Sequence, residues 1–355
     1  MLHFYNVDQH ISVISDIKHI FNQLGHSVES DNLSGHSELL AKTRADIPML
    51  NGDSWCGFWN RDEEYDFDHD YYDAFIVTYP PIFCRLYDKI DKPVIVQIPI
   101  RYEHGVDGDK DGWLEFNEYL RENIDRKKIY LVANSMYDKL YTEAFVNREV
   151  RYIPSLCEYT NASYNRTDNR CLFIGDLDID GSRLIVKKQK ALQYGHTWNQ
   201  VAAFAGVVYF PYNISVMSFF EQYSMGMPVM VPSIDFMMEL YQKGAVLSQY
   251  SWAKTYNRES GSIIPFTGEY DPNAHKDLDS VRHWLQYADF YNQEWFPYVK
   301  QFANIDELNT QINEASNDRK NNYYNMKCKQ HTRRSRIINI WSELIGEVKR
   351  DWGIQ

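Results

Sequence analysis

The sequence predicts an α/β protein made of two parallel-sheet domains and a helical tail, and three observations carry that prediction. Short apolar runs alternate with segments of helical spacing, the pattern of successive βαβ units. At 355 residues the chain exceeds what one hydrophobic core usually serves. The polar, turn-rich stretch Ser155–Arg170 then divides the alternation in two.

In the first domain, residues 1–155, Leu2–Val7 reads as a strand. Ile11, Ile14, Ile17, Ile20, Phe21 and Leu24 recur every three or four residues, which marks a helix that Gly25 stops. Further strands are expected at Ala74–Thr78, Val94–Ile98, Ile129–Val132 and Val150–Ile153. Helices are expected at Pro81–Ile90, Trp113–Asn123 and Met136–Phe145. Asn51–Tyr72 is acidic, aromatic and aperiodic, so it reads as a long surface insertion.

The second domain, residues 171–325, opens with the strand Cys171–Gly175 and continues through Leu240. Between Gly175 and Val207 there is room for little more than one helix. The tail reads as helical at Leu278–Tyr291, Ile305–Glu314 and about Asn321–Lys349.

A net charge of −12 argues against a nucleic-acid binder, which needs a basic face. Five widely spaced cysteines without a CxxC suit reduced thiols and a cytoplasmic setting. No basic segment followed by an apolar run opens the chain, so no secretory signal is expected. Val201–Phe220 is interrupted by Gly206, Pro211 and Asn213, so no transmembrane segment is expected. The 27 tyrosines, 18 phenylalanines and 9 tryptophans are first of all core filling.

Val207–Val231, VVYFPYNISVMSFFEQYSMGMPVMV, is the most informative stretch. An apolar strand leads into a polar turn, a helical segment bearing Glu221, a Gly226-Met227-Pro228 stop and a second apolar strand. In open α/β sheets, ligands bind at the strands' carboxyl ends, where helix N-termini favour phosphates. Asn213 or Ser215 can cap this helix, and the N–H groups near Ser215–Ser218 would face the ligand. An acid followed five residues later by Gly-Met-Pro-Val resembles the donor-binding signature of GT-B glycosyltransferases.

The resemblance implies two Rossmann-like domains facing a cleft, the second abbreviated, with the C-terminal helix of residues 326–355 crossing back to the first. It implies transfer of a hexosyl or pentosyl group from a UDP-, GDP- or dTDP-sugar to a glycan or other acceptor hydroxyl, with no cofactor required for catalysis. Glu221 would hold the ribose hydroxyls, and a carboxylate accepts from both vicinal hydroxyls at once. Related retaining enzymes carry an earlier glutamate where this chain has Asn213. Gly175 and the basic run Arg183, Lys187, Lys188 and Lys190 fall where the family places its diphosphate contacts, with Arg183 and Lys188 the first choices.

In the first domain the loop IPIRYEHGVDGDKDGWLEFNE follows a strand. Glu103 and His104 are candidate acid/base groups there, with Asp8 and His10 after the first strand as rivals. The same loop fits a calcium-loop pattern, with Asp107, Asp109, Asp111 and Glu118 at positions one, three, five and twelve and Gly112 at six. The alternative to a transferase is therefore a non-catalytic calcium- or carbohydrate-binding protein on the same scaffold. Asp176–Asp180 reads as an acidic turn. GxGxxG, Walker, GxSxG and HExxH motifs are absent, which weakens dehydrogenase, NTPase, serine-hydrolase and zincin readings.

Overall fold

The computed structural model describes residues 1–8, 10–32, 69–175, 185–192, 196–317 and 321–354. The chain forms two compact units. The first comprises Met1–Ser155, Ile263–Thr267 and Arg336–Gln355; the second comprises Leu156–Ser262 and Gly268–Ser335.

The first unit is built on six parallel strands: β1 (His3–Asp8), β2 (Ser27–Asn32), β3 (Ala74–Val77), β4 (Val94–Ile98), β5 (Ile129–Ala133) and β6 (Arg151–Tyr152). Their order is β2-β1-β3-β4-β5-β6. Strands β3, β4 and β5 are buried at every position, so both their faces are covered and they read as hydrophobic runs broken only at Gln97. The chain winds outward from β1 to β2 and then returns to the other side of β1 as β3. That reversal is a topological switch point, the place where open α/β sheets take ligands.

Helices Ile11–Gln23, Lys110–Asp125 and Met136–Val146 connect the strands. The last starts on a Ser135 side chain that accepts from Asp138 N at 2.9 Å and stops where Asn147 turns left-handed at φ 54°. Between β3 and β4 the expected helix is instead a 3-10 segment, Pro81–Tyr87, with i to i+3 bonds such as Phe83 N to Pro80 O at 3.1 Å. Its last ring, Tyr87, stacks on Phe75 with centroids 4.2 Å apart. Phe4 packs edge-on against Phe21, and Phe21 against Trp341 of the C-terminal helix, at 4.9 and 5.2 Å. Polar contacts fasten the last turns of that helix: Tyr130 to Asp351, Arg151 to Glu347 and Trp352 to the Lys127 carbonyl.

The second unit carries β7 (Cys171–Ile174), β8 (Ile185–Lys187), β9 (Gly206–Tyr209), β10 (Val229–Pro232) and β11 (Lys300–Phe302), all parallel, in the order β11-β10-β9-β7-β8. Its switch point lies between β7 and β9. Phe219, Phe220, Tyr223, Phe290 and Phe296 form an aromatic core, on which the buried Arg333 guanidinium lies 4.8 Å above the Phe296 ring.

Several expectations change. Ser155–Arg170 is not a free linker: Tyr164 N donates to Met225 O, and Asn165 and Thr167 donate to Ala202 and Ala203, so it is laid down on the second unit. Leu278–Tyr291 is a shorter helix, Leu278–Leu285, followed by a 3-10 turn at Asp289–Tyr291. The helix Asn321–Trp352 is continuous, with its first part in the second unit and Arg336 onward in the first. Residues 51–68 of the expected insertion lie outside the described residues. Among those described, no helix is long and apolar enough to cross a membrane. Cys84, Cys157, Cys171 and Cys328 are free thiols.

Candidate functional site

Each sheet gathers polar side chains at the carboxyl ends of the strands beside its switch point. In the first unit, β1 ends at Asp8, and His10 stands at the N-cap of the next helix without a side-chain capping bond. Tyr79 follows β3, and its ring lies 5.9 Å from His10 and 5.2 Å from His104. The Tyr79 hydroxyl is 3.2 Å from His104 Nε2, and Asp107 Oδ1 is 3.8 Å from the other ring nitrogen. His10, Tyr79 and His104 are half-buried, so this edge offers two imidazoles and a phenol to a ligand.

Glu103 precedes His104 in the same loop. It is buried with Arg101, and the Tyr141 hydroxyl donates to its Oε1 at 2.7 Å. Burial pushes the Glu103 carboxyl up to about 7, against the pull of the Arg101 guanidinium and the Tyr141 hydrogen bond. A carboxyl poised there can hold or release a proton near neutral pH. His104 is the half-buried member of the predicted pair and Glu103 the enclosed one.

The carboxylates of the calcium-type loop do not come together as one group in this structure. Helix Lys110–Asp125 begins at the fourth position of the pattern, so Asp111 and Glu118 both ride on its solvent face, about 10 Å apart along the axis. Asp109 is the helix N-cap, its Oδ1 accepting from Asp111 N at 3.1 Å. A Cβ on Gly112 would fall 2.5 Å from Asp109 Oδ2, so the glycine makes room for the cap rather than for a turn around a cation. No group of three or more His, Cys, Asp or Glu side chains among the described residues could hold a metal ion.

In the second unit, β9, the helix Met217–Ser224, a turn at Gly226 (φ 80°) and β10 follow one another as a parallel strand–helix–strand unit. The helix opens on Val216, which makes no side-chain cap. Asn213 bends back instead, its Oδ1 accepting from Ile214 N at 2.8 Å, and Ser215 is half-buried without capping the helix. Ser218 Oγ lies 3.2 Å from the Tyr209 hydroxyl, which also bonds Gln222.

Glu221 is only 3% exposed, and the Tyr159 hydroxyl donates to its Oε1. Burial, and then the charge of Glu221, raise the pKa of Tyr212, which follows β9 and is 39% exposed. Gly175 ends β7 at φ 150°; a Cβ there would meet Phe210 O at 2.7 Å and Phe210 Cβ at 2.8 Å. The two strand ends flanking the switch point can approach so closely only with a glycine. Lys188 is half-buried at the start of the short helix Lys188–Ala191. Arg183 and Asp176–Asp180 lie outside the described residues.

Sequence reasoning placed Glu103, His104, Asp8, Gly175, Asn213, Ser218 and Glu221 at these edges, and missed the phenols. Tyr79, Tyr141, Tyr159 and Tyr209 each bond a predicted site residue or its neighbour. Among 27 tyrosines, no spacing distinguishes these four. No protein-family model matches the chain, and no curated protein matches it.

Proposed function

We propose that the protein is a glycosyltransferase, with the second unit taking a nucleotide-sugar donor and the first an acceptor hydroxyl. The observation that carries this reading is the strand–helix–strand unit β9 to β10. It sets Glu221 on the helix that follows a strand's carboxyl end, next to the switch point, with the Gly226 turn leading into β10. In that reading Glu221 accepts from the ribose hydroxyls, and the diphosphate lies beside the close β7–β9 junction at Gly175. Lys188, with Arg183, stabilises the leaving phosphate charge. In the first unit, His104 takes the acceptor's proton while the new glycosidic bond forms and the anomeric carbon–phosphate oxygen bond breaks. The setting is cytoplasmic.

A thermal-shift screen against UDP, GDP, CMP and dTDP tests this. A ligand at a hundred times its dissociation constant stabilises its protein by about 2.7 kcal/mol, and one nucleotide is expected to do so. The second reading, a non-catalytic binding protein, is favoured by one observation: Glu221 already has a partner within the protein, Tyr159. Silence to all four nucleotides selects it.

A further inference from the structure

The proposed donor carboxylate is covered. With Glu221 3% exposed, a nucleotide reaches it only after something moves, and one group hydrogen-bonded to it is the half-buried Tyr159. Tyr159 is the centre of the 3-10 turn Glu158–Thr160. Both flanks of that turn, Cys157 at φ 56° and Asn161 at φ 47°, are left-handed, a conformation that residues other than glycine seldom adopt.

Side chains from two helices help to fasten the turn. Ser224 Oγ, on the same helix as Glu221, donates to the Cys157 carbonyl at 2.9 Å, and Arg334 Nε of the C-terminal helix donates to Glu158 Oε2 at 3.0 Å. The Tyr159 ring meets Trp198 edge-on at 6.3 Å. All of these residues belong to the second unit.

We propose that Tyr159 is the gate of the donor site: its hydroxyl holds Glu221 in the free protein and gives way to the ribose hydroxyls of a nucleoside diphosphate. The inference rests on Glu221 being the ribose ligand. A vicinal diol engages both oxygens of a carboxylate, and the phenol stands at one of them. Ligand binding exchanges the phenolic hydrogen bond at Oε1 for a ribose one. The turn swings about Cys157 and Asn161, where it leaves ordinary backbone conformation, and the Arg334–Glu158 ion pair sets how readily it does so.

The test uses the full chain and the four nucleotides UDP, GDP, CMP and dTDP, titrated into wild type, Tyr159→Phe and Arg334→Gln. Tyr159→Phe keeps the ring and removes the competing hydroxyl, so the nucleotide that binds wild type is expected to bind it about tenfold tighter. Its free form is expected to melt lower, because a buried carboxylate has lost a donor. Arg334→Gln loosens the turn without touching Glu221 and is expected to tighten binding by a smaller factor, which keeps the test alive if Tyr159→Phe does not fold. Binding of a nucleotide by Tyr159→Phe alone also supports the gate. Equal or weaker binding in both variants, with wild type binding normally, overturns the gate and leaves the nucleotide reading standing. Silence of all three proteins overturns both.

Discussion

The Tyr141 hydroxyl donates to Glu103 Oε1 at 2.7 Å between two fully buried side chains, one from the helix after β5 and one from the loop after β4. This bond and Arg101 hold down a carboxyl that burial nonetheless lifts from its ordinary 4.5 to about 7.

The lift has a definite effect on stability. Between pH 4.5 and 7 the folded protein keeps a proton on Glu103 that the unfolded chain has lost, so stability falls as pH rises through that window. The effect is on the order of 3 kcal/mol. Glu103→Gln, which cannot ionise, is expected to lack this loss. Urea denaturation of both proteins at pH 5 and pH 8 measures it: the stability of the variant relative to wild type rises with pH. A constant difference would mean that Glu103 titrates at its ordinary value.

Gly175 predicts a backbone effect. Its φ of 150° and the closeness of Phe210 O leave a methyl group no place that a rotating side chain could vacate. Gly175→Ala is expected to cost about 2 kcal/mol or more, by strain together with the clash. A variant as stable as wild type in chemical denaturation would show that the β7–β9 junction is looser than described.

Asp109 separates a helix cap from a metal ligand. Asp109→Ala is expected to lower stability by about 1 kcal/mol through loss of the bond to Asp111 N. Millimolar calcium is expected to leave the melting temperature of both proteins unchanged. A calcium-induced rise in wild type that vanishes in the variant would show that the loop binds calcium.

Glu221→Ala removes the proposed ribose acceptor and is expected to weaken nucleotide binding by roughly 1–3 kcal/mol. Because it also strips Tyr159 of its acceptor, Glu221→Gln serves beside it. The amide still accepts from Tyr159 but presents one oxygen in place of two, so intermediate affinity with near-normal stability is expected.

How far the sequence was legible follows from where each element sits. The central strands are buried on both faces and are apolar but for Gln97, so Val94–Ile98 was read with its observed boundaries and Ile129–Val132 within one residue. Strands β2, β8 and β11 escaped notice, and each is an edge strand of its sheet. SVESDN is apolar only at Val28, and IVK and KQF are three residues each, which an edge strand with one neighbour tolerates. The calcium-type pattern overlaps a helix start. Asp109 and Gly112 belong to a helix start, and capping residues and loop ligands draw on the same Asp and Gly vocabulary. The positions of Glu103 and His104 after a strand and of Glu221 on the following helix were readable, since the chain order of strand, loop and helix sets them. Their tyrosine partners come from distant segments, and no local pattern announces such contacts.

Isothermal titration of UDP, GDP, CMP and dTDP into wild type and Glu221→Ala, side by side, tests the nucleotide site most directly. The account predicts that one nucleotide binds wild type at a single site and binds Glu221→Ala at least several-fold more weakly. Equal affinity in the two proteins, or no heat from any of the four, would contradict it.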